Sequence, residues 1–157
     1  MTGSVLIGIG NAYRRDDGAG LAVVDALAGL LPAAIEVVTC EQEPSRLIDA
    51  WEGTDVAIVV DAAASGSAPG AVHRFDAADV AIPAGVFRSS THAFGVGDAV
   101  EIARALGTLP PRVVVYGIEG GNFSAGTGLT TSVAAAVARV ADSVLAELEE
   151  AGCTSAR

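Results

Sequence analysis

The sequence predicts a single α/β domain in which a mainly parallel, twisted sheet is covered by helices on both faces. Short, continuous apolar segments alternate with longer segments whose apolar residues recur at helical spacing, the pattern of buried parallel strands joined by helices. The chain has 157 residues, which suits one domain with a well-buried core, and it contains no linker-like stretch. We therefore expect one domain over residues 1–151 and a disordered tail over 152–157.

The first half of the chain predicts three strands and two helices. The strands are expected at 5–9, 35–39 and 56–61, and the last, apolar throughout until it ends in Asp61, is typical of a central parallel strand. A helix over 21–31 is expected to stop at Pro32, and a short helix over 45–51 should bury Leu47, Ile48 and Trp51.

The second half predicts two more strands and two helices. A turn at 65–70 precedes a short strand over 71–75, which could be an antiparallel edge, and residues 76–88 have no clean period and are expected to be irregular. Ser89-Ser90-Thr91 is expected to cap a helix that has His92 in its first turn and an inward face of Val96, Val100, Ala103 and Leu106. A strand over 112–118, a glycine-rich loop over 120–128 and a long helix over 130–150 complete the chain.

Composition and charge argue against several classes of protein. A formal net charge of -10, with no run of basic residues, disfavours nucleic acid as a partner. No apolar segment approaches the roughly 20 residues that span a bilayer, and residues after Met1 do not resemble a signal peptide. We expect a cytoplasmic protein without a membrane partner, in which Cys40 and Cys153 are reduced thiols.

Acidic residues and a histidine follow the predicted strands where a ligand would bind. Asp16 and Asp17 come after the first strand, Asp61 ends the central strand, and His92 precedes a helix. The carboxyl ends of parallel strands meet at one sheet edge, where open α/β sheets bind their ligands. Two carboxylates and an imidazole suit a divalent transition-metal ion, so Asp17, Asp61 and His92 are candidate metal ligands.

Simpler explanations of these residues remain open. Asp16 and Asp17 would stabilise a helix N-terminus by capping and by the helix dipole alone. Asp61 could accept backbone hydrogen bonds from the next loop, and His92 beside serine and threonine could be a capping or surface residue. The candidate site therefore depends on three separate elements delivering these groups to one edge.

Two other kinds of site fit the sequence less well. Gly8-Ile9-Gly10 resembles the start of a dinucleotide-binding fingerprint, but Tyr13 stands where the third glycine belongs, so we expect no nucleotide cofactor. A serine nucleophile at Ser89 or Ser90 paired with His92 lacks a Gly-x-Ser-x-Gly elbow.

Four motifs, in order along nearly the whole chain, resemble those of the hydrogenase maturation proteases. They are Gly8-Ile9-Gly10-Asn11 with Asp16-Asp17-Gly18-Ala19-Gly20, Val60-Asp61-Ala62 with Pro69-Gly70, Thr91-His92-Ala93-Phe94-Gly95, and Tyr116-Gly117-Ile118-Glu119 with Gly126-Thr127-Gly128-Leu129. Members of this family are endopeptidases that remove the C-terminal extension of the nickel-iron hydrogenase large subunit.

The resemblance implies a phosphorylase/hydrolase-like fold and a site that recognises nickel. The three metal-binding positions of the family fall on Asp17, Asp61 and His92. In the family, cleavage follows nickel insertion into the large-subunit precursor, and the nickel is the recognition signal, so the metal belongs to the substrate. Under this hypothesis the three ligands complete the coordination of that nickel, and Asp16 could act as a base if its pKa suits.

The sequence also departs from the family pattern. Glu41-Gln42-Glu43-Pro44 replaces a glycine-rich loop that often follows the second strand, and Gly120-Gly121 stands where proline is common. Arg14-Arg15 is more basic than usual and could dock a precursor carboxylate or hold Asp16. Because of the first departure, a metal-binding or metal-checking module without peptidase activity is the alternative function.

Overall fold

The computed structural model describes residues 3–41, 46–87 and 95–152. Within them five strands form one sheet in the order β2-β1-β3-β5-β4. The strands are β1 Ser4–Ile9, β2 Ile35–Cys40, β3 Val56–Ala63, β4 Val72–Asp76 and β5 Arg112–Glu119. Each lies within two residues of its predicted bounds, and the predicted α/β class is confirmed.

The sheet is parallel except at one edge. β1 pairs in parallel with both β2 and β3, and β3 pairs in parallel with β5. β4 runs antiparallel to β5, as the sequence suggested for this edge. The central strands β1, β3 and β5 are almost completely buried, which explains their continuous apolar sequences.

Two helices cover each face of the sheet. The helices are α1 Ala19–Leu27, α2 Arg46–Trp51, α3 Val96–Leu106 and α4 Thr131–Glu150. The buried residues of α1 and α4 form one apolar core with side chains of one sheet face, while those of α2 and α3 form a second core on the other face. Trp51 is fully buried in the second core, as its position in the predicted helix indicated.

The chain order of the strands creates a switch point between β1 and β3. The chain leaves β1 for β2 on one side, and it returns across to place β3 on the other side. The connections that follow these neighbouring strands thus diverge, which opens a crevice at their carboxyl ends. This crevice is where ligands bind in open α/β sheets.

Two helix boundaries differ from the prediction. α1 ends at Leu27 rather than near residue 31, because Ala28 has extended backbone angles and Gly29 has φ +82°, so the exposed Leu30 lies in a turn. α3 begins at Val96, with Gly95 as its N-cap, and the Asp98 carboxylate accepts a hydrogen bond from the Gly95 N–H at 2.8 Å. The predicted cap at Ser89-Ser90-Thr91 is therefore wrong, and His92 precedes the helix instead of lying in its first turn.

One side chain assigned to the buried face of α3 is exposed. Val96, Val100 and Ala103 are buried as predicted, but Leu106 is 66% exposed at the end of the helix. By contrast, the long helix expected over 130–150 is confirmed as α4, and its buried residues include Val133, Val137, Val140, Val144 and Leu148, which recur at helical spacing. None of the helices in the described part of the chain combines the length and apolar character that crossing a membrane requires.

Candidate functional site

The start of α1 packs directly against the two strands that form the switch point. Gly20, in the first turn of α1, lies so close to the sheet that a Cβ atom there would be 2.2 Å from the Val60 carbonyl oxygen and 2.5 Å from that of Ile9. Only glycine permits this approach. The close packing brings the turn that precedes α1 to the carboxyl ends of β1 and β3.

Asp17 lies in that turn, a single 3-10 segment over Arg15–Gly18. Its carbonyl oxygen accepts a hydrogen bond from the Asn11 N–H at 3.3 Å. A Cβ atom at Gly10 would lie only 2.0 Å from the same carbonyl, and Gly10 has φ +149°, so the glycine is required for this contact. The opening motif thus folds back on itself and holds Asp17, which is partly exposed, at the crevice.

Asp61 lies near the carboxyl end of β3 and is 7% exposed. Its Oδ1 atom accepts a hydrogen bond from the Ala62 N–H at 2.8 Å. Burial raises the pKa of Asp61 well above the ordinary value of 3.8, and the negative charge of Asp17 raises it further. The two predicted acids are therefore neighbours in one crevice, although they are 44 positions apart in the sequence.

This pair has the chemistry of an incomplete cation site. Two carboxylates that share a poorly solvated crevice repel each other, and a divalent cation between them would offset both the repulsion and the desolvation. Oxygen donors from Asp17 and Asp61 would occupy only part of such an ion's coordination sphere. The remaining positions would be open to another side chain, to water or to a substrate.

The third predicted ligand cannot be placed in the same way, because His92 lies outside the described residues. Within 3–41, 46–87 and 95–152, no group of three or more histidine, cysteine, aspartate and glutamate side chains is gathered as a metal site. His92 therefore stays a predicted ligand. The Glu41 to Pro44 segment is described only at Glu41, which is exposed.

Asp16 has a different environment from its neighbour Asp17. It is fully buried, and its carboxylate accepts hydrogen bonds from the N–H groups of Gly121 and Asn122 at 2.8 and 2.9 Å. The Thr130 N–H, at 2.8 Å, and the Thr130 hydroxyl also donate to it. Asp16 thus ties the turn before α1 to both ends of the glycine-rich loop.

These contacts do not favour the predicted role of Asp16 as a base. Burial alone would raise the pKa of Asp16, but the hydrogen bonds from Thr130, Gly121 and Asn122 outweigh it and hold the pKa below 3.8. Such a carboxylate has little affinity for a proton, and its oxygens already have four donors. The geometry instead indicates that Asp16 organises the loop.

The two arginines before Asp16 also bind the glycine-rich loop. Arg14 donates through Nε to the Phe123 carbonyl oxygen at 3.3 Å, and Arg15 donates through Nη1 to that of Thr127 at 3.1 Å. Arg15 has φ +50°, a strained backbone for a residue with a Cβ atom. These side-chain hydrogen bonds go to the loop backbone and not to Asp16, so the pair anchors the loop, a role that was not expected from the sequence.

A second buried carboxylate, Glu119, was not assigned a role from the sequence. It ends β5 and is 2% exposed, and it accepts hydrogen bonds from the Ser65 hydroxyl at 2.6 Å and the Ser65 N–H at 2.8 Å. The Gly66 N–H donates to Oε2 of Glu119 at 3.3 Å, and Nε2 of His73 lies 3.1 Å from Oε1. The available signal was an acid at the end of a buried strand, the same pattern that pointed to Asp61.

The fold and the crevice together define a class of protein: an α/β protein of the doubly wound type with an acidic site at the switch point of its sheet. The hydrogenase maturation protease (HycI) family model matches residues 22–147. The chain is 28% identical over 153 residues to the Hydrogenase 2 maturation protease of Escherichia coli strain K12, and this match covers 94% of the chain and 92% of that relative.

Solved structures show the same architecture. The hydrogenase maturating endopeptidase HybD from E. coli superposes with a TM-score of 0.82 at 25% identity, covering 96% of this chain and 94% of that one. The [NiFe] hydrogenase maturation protease HycI from Thermococcus kodakarensis KOD1 has a TM-score of 0.69 at 21% identity, with 94% and 93% covered. The chain belongs to the hydrogenase maturation protease family, as its motifs indicated.

Proposed function

We propose that this protein is the endopeptidase that removes the C-terminal extension of a nickel-iron hydrogenase large-subunit precursor after nickel has been inserted. Family membership supports a protease that acts in hydrogenase maturation. The observation that carries the finer proposal is the convergence of Asp17 and Asp61 in one crevice, where a cation would offset their repulsion.

In this proposal the metal arrives with the substrate. Asp17 and Asp61 supply carboxylate oxygens, and His92 supplies a ring nitrogen, to a nickel ion that the precursor already holds. Bound in this way, the nickel would polarise the scissile carbonyl group or activate a water molecule. The contribution of the three side chains is to orient the precursor so that one peptide bond lies beside them.

The first prediction is that each proposed ligand is required for processing. Asp17→Asn, Asp61→Asn and His92→Ala should each lower the rate at which a nickel-loaded precursor is shortened by at least about 100-fold, because a 1 Å misplacement of a reacting group has an effect of that size. Processing is followed by the mass of the large subunit, with a nickel-free precursor assayed in parallel.

Asp142→Asn is the matched control, because it makes the same chemical change at an exposed position of α4. It should process at the wild-type rate. Wild-type processing by the Asp17 and His92 variants would refute the assignment of the site, and equal processing of nickel-free and nickel-loaded precursors would refute the role of nickel.

The alternative, a metal-checking module, gives a different result in the same assay. It predicts that the wild-type protein binds nickel or the loaded precursor without producing a shortened product. Thermal stabilisation of the protein by added Ni²⁺ or Cd²⁺, combined with no cleavage, would support it.

A further inference from the structure

Two loops border the crevice that holds Asp17 and Asp61, and we call them the rim loops. The first covers residues 64–70 and follows β3 directly, three positions after Asp61. The second covers residues 120–130 and follows β5, the neighbour of β3 in the sheet. Because both loops follow strands that end at the crevice, their positions bear on the path of a polypeptide that enters it.

Glu119 fixes the first rim loop. Its carboxylate is buried and holds the start of the loop through the hydroxyl and N–H of Ser65 and the N–H of Gly66. Its backbone holds the end of the loop, because the Glu119 carbonyl oxygen accepts a hydrogen bond from the Gly70 N–H at 2.8 Å. One residue of β5 thus fixes both ends of the loop that follows Asp61.

Asp16 fixes the second rim loop in the same way. Its carboxylate accepts hydrogen bonds from the N–H groups of Gly121 and Asn122 near the start of the loop and from the N–H group of Thr130 at the end of the loop. Asp16 is adjacent to Asp17 in the chain. The position of this loop is therefore coupled to that of one acid of the crevice.

The two rim loops also contact each other. Gly121 packs against the ring of Pro69, so closely that a Cβ atom at position 121 would lie 3.0 Å from Cγ of that proline. A shift of either loop must therefore disturb the other. Gly121 donates to Asp16, while Pro69 belongs to the loop that Glu119 holds, so the two carboxylates act on one connected structure.

The partners of these carboxylates are informative. A buried carboxylate is costly unless its oxygens are hydrogen-bonded, and an arginine is one strong partner that can satisfy it. In the hydrogen bonds described above, Asp16 and Glu119 instead receive loop N–H groups, two hydroxyls and one imidazole. They hold backbone in place, and that is the function expected of groups that pre-organise a substrate path.

We propose that Asp16 and Glu119 are positioning residues of the processing reaction, which hold the rim loops so that the scissile peptide of the precursor is placed beside Asp17 and Asp61. This inference rests on the function proposed above and extends it to residues that do not touch the metal.

Glu147 provides a control for the loss of folding stability that replacing a buried carboxylate causes. It is 7% exposed and accepts hydrogen bonds from Arg74, Arg112 and Tyr116. It lies near the end of α4 and contacts Arg112 at the amino end of β5. The crevice lies at the carboxyl ends of the strands, so Glu147 is on the opposite side of the sheet from it. Its replacement should disturb folding without disturbing the rim.

The test compares Glu119→Gln, Asp16→Asn and Glu147→Gln, assayed on the nickel-loaded precursor well below their melting temperatures. We expect the first two to lower kcat by about 10- to 100-fold, because the peptide is misplaced relative to the reacting groups. The kcat of Glu147→Gln should stay within about 2-fold of the wild-type value, even if its melting temperature falls as much as those of the other two variants. Loss of activity that simply follows melting temperature across all three variants would overturn the inference.

The contact between the loops adds a second measurement. The double variant Asp16→Asn/Glu119→Gln should lose less activity than the product of the two single losses, because both act through the Pro69–Gly121 contact. Strictly multiplicative losses would contradict the coupled rim.

Milder variants keep the test valid if the carboxylate variants fail to fold. Ser65→Ala removes one hydroxyl donor from Glu119 and keeps the backbone donors, and Ser65→Thr restores a hydroxyl. We expect Ser65→Ala to lower kcat several-fold and Ser65→Thr to recover part of it. Equal activity of both with wild type would count against the inference, whereas a wild-type protein that cleaves no precursor would refute the proposed function instead.

Discussion

Asp61 has a native environment that is unfavourable to its own charge. It is buried near the end of a central strand, accepts one backbone hydrogen bond, and faces the negative charge of Asp17. Desolvation and like-charge repulsion both raise its pKa. A group of this kind reduces folding stability at neutral pH, and such groups concentrate at functional sites.

The raised pKa of Asp61 determines how the contribution of this residue to folding stability changes with pH. A carboxyl group whose pKa is raised by folding binds more protons in the folded state than in the unfolded state between its ordinary pKa, 3.8, and its folded value. The contribution of Asp61 to folding stability must therefore fall as pH rises through that window. The loss is complete above the folded pKa.

We predict that Asp61→Asn is more stable than the wild type at pH 7, because asparagine mimics the neutral carboxyl group. The difference should shrink as the pH is lowered toward 3.8, where the wild-type carboxyl group is also protonated in the folded state. Urea denaturation between pH 4 and pH 8 measures it. An Asp61→Asn protein less stable than wild type at every pH would contradict the assigned environment of Asp61.

For individual residues, the sequence predicts the positions of Asp17 and Asp61 in the crevice but not the roles of the carboxylates of Asp16 and Glu119. Asp17 lies in the turn between β1 and α1, and Asp61 lies near the end of β3, so the order of elements in a parallel sheet brings both to its carboxyl edge. The environments of Asp16 and Glu119 depend on backbone N–H groups that come from 53 to 114 positions away along the chain. No local pattern identifies which carboxylate those groups will bind.

Among the secondary-structure elements, α1 packs very closely against the sheet. Gly20 allows its first turn to touch the backbone of β1 and β3, and this contact sets the distance between the Asp17 turn and Asp61. Because the neighbouring atoms are main-chain carbonyl oxygens of buried strands, they cannot move aside as a flexible side chain can.

We therefore predict that Gly20→Ala destabilises the protein by about 1–3 kcal/mol, the usual effect of overpacking, despite the higher helix propensity of alanine. Chemical denaturation measures the change. Gly97→Ala in α3 is the comparison, because the nearest atom that a Cβ there would meet beyond its chain neighbours and its own helix backbone is Cβ of Ile82, at 3.9 Å. It should be neutral or stabilising by up to about 1 kcal/mol, and equal destabilisation by both substitutions would contradict the packing argument.

The predicted elements fail mainly at their ends. The apolar pattern of α1 continues to Leu31, but Gly29 takes a left-handed conformation and turns the chain first. The serine and threonine residues before α3 have good capping chemistry, yet the helix uses Gly95 and the carboxylate of Asp98. Periodicity reveals which face of a helix is buried, while its ends depend on the turn that the tertiary structure requires.

For the whole molecule, strand order is what converts scattered acids into a site. The alternation of strands and helices predicts a parallel sheet, but several strand orders satisfy it equally. The observed order β2-β1-β3-β5-β4 places β1 beside β3 and β5 beside β3. Asp17 follows β1, Asp61 lies in β3 and Glu119 ends β5, so the three acids come from three consecutive strands of the sheet. This order is determined by the pairing of strands that are distant in the sequence.

The attachment of the rim loops to buried carboxylates has a consequence for the rates at which their amide protons exchange with solvent. An N–H group in a glycine-rich loop ordinarily exchanges quickly, since local opening costs little. The amides of Gly121, Asn122 and Thr130 instead donate to the buried Asp16 carboxylate, so opening the loop costs that carboxylate its hydrogen bonds. We expect them to be protected nearly as well as the amides of β3 and β5, whereas the Ser124 amide, bound only to the exposed Asn122 side chain, should exchange rapidly. Deuterium exchange followed by NMR would then reveal slowly exchanging sites in a segment whose composition resembles a flexible linker, and rapid exchange at all four amides would contradict the picture of a fixed rim.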